Sequence, residues 1–152
     1  MAQVDITLLK KLREATSASI ADCRRALEEN DNNYAKAAEW IKSNAIMKAE
    51  KKSDRATSQG MIDCYVHNNR IGVLVEMLCE TDFVARTDDF KKLAREVSMQ
   101  ISAMNPENVE ELLKQEYIRD ASHTIEQLVK GVIGTLGENI TIKRFIRFEL
   151  GE

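Results

Sequence analysis

The side chains able to do acid–base, nucleophilic or metal chemistry are few and scattered in this chain of 152 residues. They are two histidines, His67 and His123, and three cysteines, Cys23, Cys64 and Cys79. Cys64-x-x-His67 together with Cys79 is a fragment of a zinc set. A structural zinc site closes four ligands, however, and Cys64 falls on the apolar side of an alternating stretch, so no metal site is expected. The sequence contains no nucleophile elbow, no Walker A loop and no His-Glu-x-x-His helix. No catalytic residue is nominated, no cofactor is expected, and the chain reads as a non-enzyme.

Gly131, Gly134 and Gly137 recur every third residue. Gly134 to Gly137 has the spacing of the GxxG loop of a KH-type RNA-binding domain. The alternative is a helix that ends at Gly137 as its C-cap, with the other two glycines permitting close packing; an isolated glycine pattern is a weak motif, and this second reading is favoured. The charge balance points the same way. With 22 basic and 25 acidic residues and a formal net charge of −3, the chain lacks the basic surface that a nucleic acid backbone selects, so no nucleic acid partner is expected. Composition, 43% hydrophobic and 31% charged, suits one domain or one domain with a small satellite. No run reaches the roughly 18 apolar residues of a membrane helix, and the start, MAQVDITLL, lacks the charged and long apolar stretches of a signal peptide. No membrane association is expected. An odd, sparse cysteine set suits a reducing compartment, and a cytoplasmic location follows.

The elements around these residues divide into two groups. Three short helices are expected in residues 1–46. Asp5 caps the first, with Ile6, Leu9 and Leu12 inward; Ser19 opens the second in a capping box with Asp22, with Ile20, Cys23 and Leu27 as its apolar face; the third starts at Tyr34 and presents Ala37, Ala38 and Ile41. Residues 47–59, almost without large apolar residues and with Lys48, Lys51, Lys52 and Arg55, read as a basic linker or a frayed helix extension. From residue 60 the period changes to alternation. Ile62, Cys64 and Val66 mark one strand, His67 to Arg70 a turn, and Ile71, Val73, Val75 and Met77 a second strand. A helix capped by Thr87 carries Phe90, Leu93, Ala94, Val97 and Ile101; a second runs from Asn105 and Pro106 to about Glu116; a third carries Ile125 to Leu136. Ile140, Ile142, Ile146, Phe148 and Leu150 alternate as a closing strand. The fold class is therefore α+β, with a three-stranded antiparallel sheet covered by helices on one face. The uncovered face and edge favour a homodimer.

Two blocks carry a resemblance to a known family. LLKKLREATSASIADCRRALEEN, Leu8 to Asn30, resembles the N-terminal helical domain of the elongation factor Ts family, written there as a leucine-rich helix, Thr-Gly-Ala-Gly and Met-Asp-Cys-Lys-Lys-Ala-Leu. GVLVEMLCETDFVAR, Gly72 to Arg86, is similar to that family's signature, a buried strand ending in Cys-x-Thr-Asp-Phe-Val-Ala, and GENITIKRFIRFELGE is similar to its closing strand. The resemblance implies a ubiquitin-associated-like three-helix domain (1–46), a linker (47–59) and a core domain (60–152). It also implies a guanine nucleotide exchange factor that binds elongation factor Tu, at its GTPase domain and a neighbouring domain, and promotes GDP release.

The residues carried over by the resemblance are Thr81, Asp82, Phe83 and Val84 of the signature, Ile20, Ala21 and Arg24 after the turn, and Leu12 and Lys52. Phe83 reads as a wedge into the GTPase or as a residue of this chain's own core; Asp82 as a partner contact or a turn residue. Ile20 and Leu12 have helical spacing to core positions, and Lys52 is either an electrostatic contact or a solvated side chain. Ser17 and Ser19 replace the family's two turn glycines, and Ala21 its methionine, which removes apolar contact surface. Long members carry a second core subdomain with a coiled-coil insertion; a short form would obtain its counterpart from a second copy of itself.

Overall fold

Three polar residues start the first three helices of the computed structural model, which describes residues 3–152. The Asp5 carboxylate accepts the N–H groups of Thr7 and Leu8 and opens α1 (Ile6–Thr16). Ser19 opens α2 (Ile20–Glu29) by accepting the Asp22 N–H, and Asn33 opens α3 (Tyr34–Glu50) by accepting that of Lys36. These bonds satisfy donors that the helix itself leaves without partners. The capping box expected at Ser19 is half made, because the Asp22 carboxylate accepts from the Ser19 hydroxyl (2.7 Å) and from Lys48 Nζ (2.7 Å). Leu12, Cys23, Ala26, Leu27, Ala37 and Ile41 bury together as one apolar cluster. Between α1 and α2, Ser17 sits in the left-handed region at φ 54°, where the family pattern has glycine.

Helix α3 runs to Glu50, past the expected boundary at residue 46, and its Ala49 is buried in the second apolar cluster. Only residues 51–58 lack helix or strand before β1 (Gln59–His67) begins. A turn with Asn68 and Asn69 at φ 50° and 56° leads into β2 (Ile71–Cys79); asparagine tolerates this left-handed conformation better than most residues. The remaining elements are α4 (Asp82–Ala85), α5 (Asp88–Met104), α6 (Val109–Lys114), β3 (Glu116–Tyr117), β4 (Asp120–Thr124), α7 (Ile125–Leu136) and β5 (Ile140–Glu149). The class is α+β as expected, and β5 joins the hairpin to give a three-stranded antiparallel sheet in the order β1-β2-β5. Val73, Val75 and Met77 of β2 pack in one cluster with Phe90, Val97 and Ile101 of α5 and with Ile125, Val129 and Ile133 of α7.

The closing strand departs from the alternating set read from the sequence. Ile140 and Ile142 are buried, whereas Ile146 and Phe148 are exposed. Glu76 pairs with Arg144 and Met77 with Ile142, so Lys143 is an extra residue in β5. Such a β-bulge inverts the parity of a strand, and the apolar residues after it face outward. They meet Ile62, Val66 and Leu74 there, because Ile62, Cys64 and Val66 lie on the uncovered face while Asp63 points inward and accepts the Ser98 hydroxyl (2.9 Å).

The second helix expected from Asn105 to Glu116 is shorter, and a small β3–β4 hairpin follows it. Side chains of α5 hold the hairpin in place. The buried Gln100 amide donates to the Glu116 carbonyl (3.0 Å) and accepts the Ile118 N–H (2.9 Å), and the Tyr117 hydroxyl donates to Glu96. Burial and then the Glu96 carboxylate push the Tyr117 hydroxyl up to about 12. Among the described residues no helix is long and apolar enough to cross a membrane.

Helix α7 touches α3 through a small-residue contact. Gly137 (φ 78°) caps α7, as the sequence suggested, and a Cβ at Gly134 would lie 2.5 Å from the Ala45 Cβ and 2.6 Å from its Cα. Gly131 faces open space. The same substitution therefore has opposite signs three residues apart. Gly134→Ala lowers stability by about 1–3 kcal/mol through overpacking, whereas Gly131→Ala raises it by about 0.5–1 kcal/mol through helix propensity; urea unfolding midpoints of the two variants check this. Ser17→Gly relieves the left-handed serine and raises stability by about 0.5–1 kcal/mol, seen as a higher midpoint in the same measurement.

Candidate functional site

Strand β2 ends at Cys79, and the next six residues turn it into a short presented helix. Thr81 caps α4, and Val84 and Ala85 sink into the core as its inner side. Phe83 then has only outward space: its residue is 78% exposed. An exposed phenylalanine forgoes roughly 1.5–3 kcal/mol of burial, which singles the position out. Asp82 is half-buried beside it and pairs with Arg86 at 3.1 Å.

The turn is fixed from a segment nearly sixty residues away in sequence. The Thr81 backbone N–H and hydroxyl donate to the two carboxylate oxygens of Glu138, at 2.9 and 2.7 Å. In return the Asn139 N–H donates to Glu80 Oε1 at 2.8 Å, and Arg55 approaches the same oxygen at 3.6 Å. The buried Asn139 amide donates to the carbonyls of Arg55 (2.8 Å) and Ser53 (3.3 Å), which ties down the segment between α3 and β1. Cys79 lies under this loop. Its thiol donates to the Thr81 carbonyl (3.1 Å), and burial, with the nearby Glu138 charge, pushes it above the usual thiol range.

The N-terminal candidates divide by exposure. Ile20 is 54% exposed at the first position of α2, with Ala21 and Arg24 exposed on the same helix; Arg24 pairs with Glu28 at 2.9 Å. The core role that helical spacing allowed for Ile20 is not taken up. Leu12 is fully buried and Val84 is 9% exposed, so these two have almost no side-chain surface for a partner and instead support the surface above them. Lys52 is half-buried, with its Nζ 3.5 Å from the Lys48 carbonyl.

The rejected alternatives also have positions. Cys64 is exposed on the uncovered sheet face, while Cys79 is buried at the other end of the hairpin ladder, so they cannot converge with His67 on a metal. The glycine series belongs to α7 and its cap, which leaves no GxxG loop between two elements. A groove of about 640 Å³ between α3 and the helices α5 and α7 is lined by Ile41, Ala45, Leu93 and Leu128, and none of the nominated residues borders it.

Sequence reasoning missed Glu80, Glu138 and Asn139. A polar pair directly after a glycine cap was visible in GENI, but its partners lie across the fold.

Comparison with known proteins agrees with the blocks that surround this site. The family model described as elongation factor TS matches residues 80–152. The elongation factor Ts of Rippkaea orientalis is 40% identical, with all of this chain and 80% of the relative covered. That of Oleidesulfovibrio alaskensis is 40% identical, with 99% of this chain and 100% of the relative covered, and that of Synechocystis sp. is 40% identical with 100% and 91% covered. These alignments extend over 197 to 199 positions, more than the 152 residues of this chain, so the relatives contain stretches with no counterpart here. With 40% identity across its whole length and the signature turn built around Phe83, the chain belongs to the elongation factor Ts family of translation elongation factors.

Proposed function

We propose that this protein is a guanine nucleotide exchange factor, which binds elongation factor Tu carrying GDP, disturbs its magnesium and phosphate site and releases the nucleotide. The observation that carries the reading is Phe83, exposed on a single helical turn whose start is clamped by a carboxylate. A large ring with only two torsions, carried on a backbone that is fixed before binding, is an inexpensive wedge, since few torsions have to be ordered on docking. Asp82 supplies a negative charge next to it, suited to competing for a metal or its ligands. Ile20, Ala21 and Arg24 form a second contact on the helical unit, and Lys52 adds a cation between the two.

The division of labour we propose follows the expected segments: residues 1–46 as a ubiquitin-associated-like docking unit, 47–59, which begin with the last turn of α3 and end at the start of β1, as its connection, and 60–152 as the core that carries the wedge. No bond is made or broken. Exchange requires only that the nucleotide-free GTPase is bound more tightly than the GDP form, and GDP then weakens the factor's binding equally. A shift of about 10⁴ in nucleotide affinity takes about 5.5 kcal/mol of differential binding, within reach of a few hot-spot residues. The work is that of a cytoplasmic protein acting on another protein, without a cofactor.

The uncovered sheet face supports a homodimer. Ile62, Val66, Leu74, Ile146 and Phe148 expose apolar side chains side by side on three strands, a surface that a second copy would bury face to face.

Stopped-flow release of fluorescent GDP from elongation factor Tu tests the exchange. The wild-type chain accelerates release, and Phe83→Ala loses about 2–4 kcal/mol of that effect, roughly 30-fold or more; no acceleration by the wild-type chain overturns the reading. Sedimentation tests the dimer. Leu74→Lys with Phe148→Glu gives a folded monomer by circular dichroism, while a wild-type chain that already sediments as a monomer at micromolar concentration removes the dimer from the proposal.

A further inference from the structure

Glu138 enters the reading above only as the carboxylate at the start of the turn, and its position is specific. It follows the Gly137 cap of α7 and precedes β5, and its two carboxylate oxygens are taken up by the N–H and the hydroxyl of one residue, Thr81, at 2.9 and 2.7 Å. Thr81 in turn caps α4 through its hydroxyl, which accepts the Val84 N–H at 3.4 Å. The chain of bonds is therefore Glu138 to Thr81 to the turn that holds Asp82 and Phe83. That turn is also held by the buried Val84 and Ala85 and by the Cys79 thiol, which donates to the Thr81 carbonyl. It is four residues long, too short to be stable as an isolated helix, and its Phe83 side chain is mostly exposed.

Resting on the exchange reading, we infer that Glu138 is a positioning residue for Phe83: its bidentate grip on Thr81 sets the start and direction of α4, and so the direction in which the ring leaves the surface. Charge-assisted bonds of this kind are short and strong, and two parallel bonds fix an angle as well as a distance. Val84 and Ala85 hold the inner side of the turn by burial, which fixes its depth. The Glu138 bonds and the reciprocal Asn139 N–H to Glu80 bond (2.8 Å) tie the turn to the segment that enters β5. Glu138 touches no partner in this scheme and acts entirely through Thr81.

Glutamine keeps the grip in altered form, because its Oε1 accepts the Thr81 N–H while its Nε2 donates to the Thr81 hydroxyl oxygen. Alanine abolishes both bonds. The experiment uses the full chain as wild type, Glu138→Ala, Glu138→Gln, Phe83→Ala and the Glu138→Ala/Phe83→Ala double variant, in two measurements. The first is amide hydrogen exchange of the free proteins. Glu138→Ala speeds exchange of residues 81–86 by about tenfold or more while the α5 amides keep their protection, and Glu138→Gln restores most of the loss. Unchanged exchange at residues 81–86, or loosening of α5 to the same degree, overturns the inference.

The second measurement is fluorescent GDP release from elongation factor Tu at saturating factor. Glu138→Ala slows release about tenfold, Glu138→Gln recovers it to within about threefold of wild type, and the double variant is no slower than Phe83→Ala alone, as expected when one residue acts through the other. Multiplicative losses in the double variant overturn the inference. Failure of the wild-type chain to release GDP removes the exchange reading and with it this role for Glu138, and the hydrogen-exchange result then identifies whether the clamp itself exists.

Discussion

The double hydrogen-bond ladder of β2 is the constraint on which the rest of this molecule depends. This strand pairs with β1 on one side and β5 on the other along nearly its full length, and its Val73, Val75 and Met77 form the floor on which α5 and α7 pack. A sheet of three strands has two faces and only one set of helices to cover them. The uncovered face is therefore a consequence of size. The Lys143 bulge adds to it, because it turns Ile146 and Phe148 away from the core and toward Ile62, Val66 and Leu74.

The same strand determines where the presented turn lies. Cys79 is the last paired residue of β2 and Ile140 its partner at the start of β5, so the segments that leave and enter the sheet are adjacent at this edge. Glu80 and Thr81 on one segment and Glu138 and Asn139 on the other exchange side-chain to backbone bonds across that gap. Each bond satisfies a backbone N–H that the sheet has stopped pairing. The turn of α4 is thus a way of ending a strand, and the outward phenyl ring of Phe83 is what that ending leaves over. Function on this account lies at a place where regular structure runs out under tight control.

The helical unit is joined to the core by packing and by hydrogen bonds rather than by a free tether. Helix α3 continues past Ile46 to bury Ala49 in the larger cluster and meets α7 where Gly134 allows Ala45 to approach. Asn139 then holds the carbonyls of Ser53 and Arg55. The segment leading from Ile20 and Arg24 toward the core is consequently tied to the loop that presents Phe83. The two proposed contact surfaces, linked through one polar loop, would bind a partner with less lost freedom than two independent ones.

The sequence by itself determined what is local. The caps at Asp5, Thr87 and Gly137, the buried stripe of α5 and the hairpin at Asn68 and Asn69 follow from interactions within one turn or one rung, and each is where the pattern placed it. Two motif blocks also pointed to the family through the identity of their residues. Tertiary structure alone decided the rest. Ile20 and Leu12 share the same helical logic, yet one is exposed and the other fully buried, because periodicity gives a direction and not the presence of a neighbour. The two faces of β5 were separated by a bulge that exists only in the register against β2. The exposure of Phe83, the burial of Val84 and the grip of Glu138 on Thr81 depend on segments far apart in the chain meeting at one sheet edge, and such meetings leave no period in the sequence to be read.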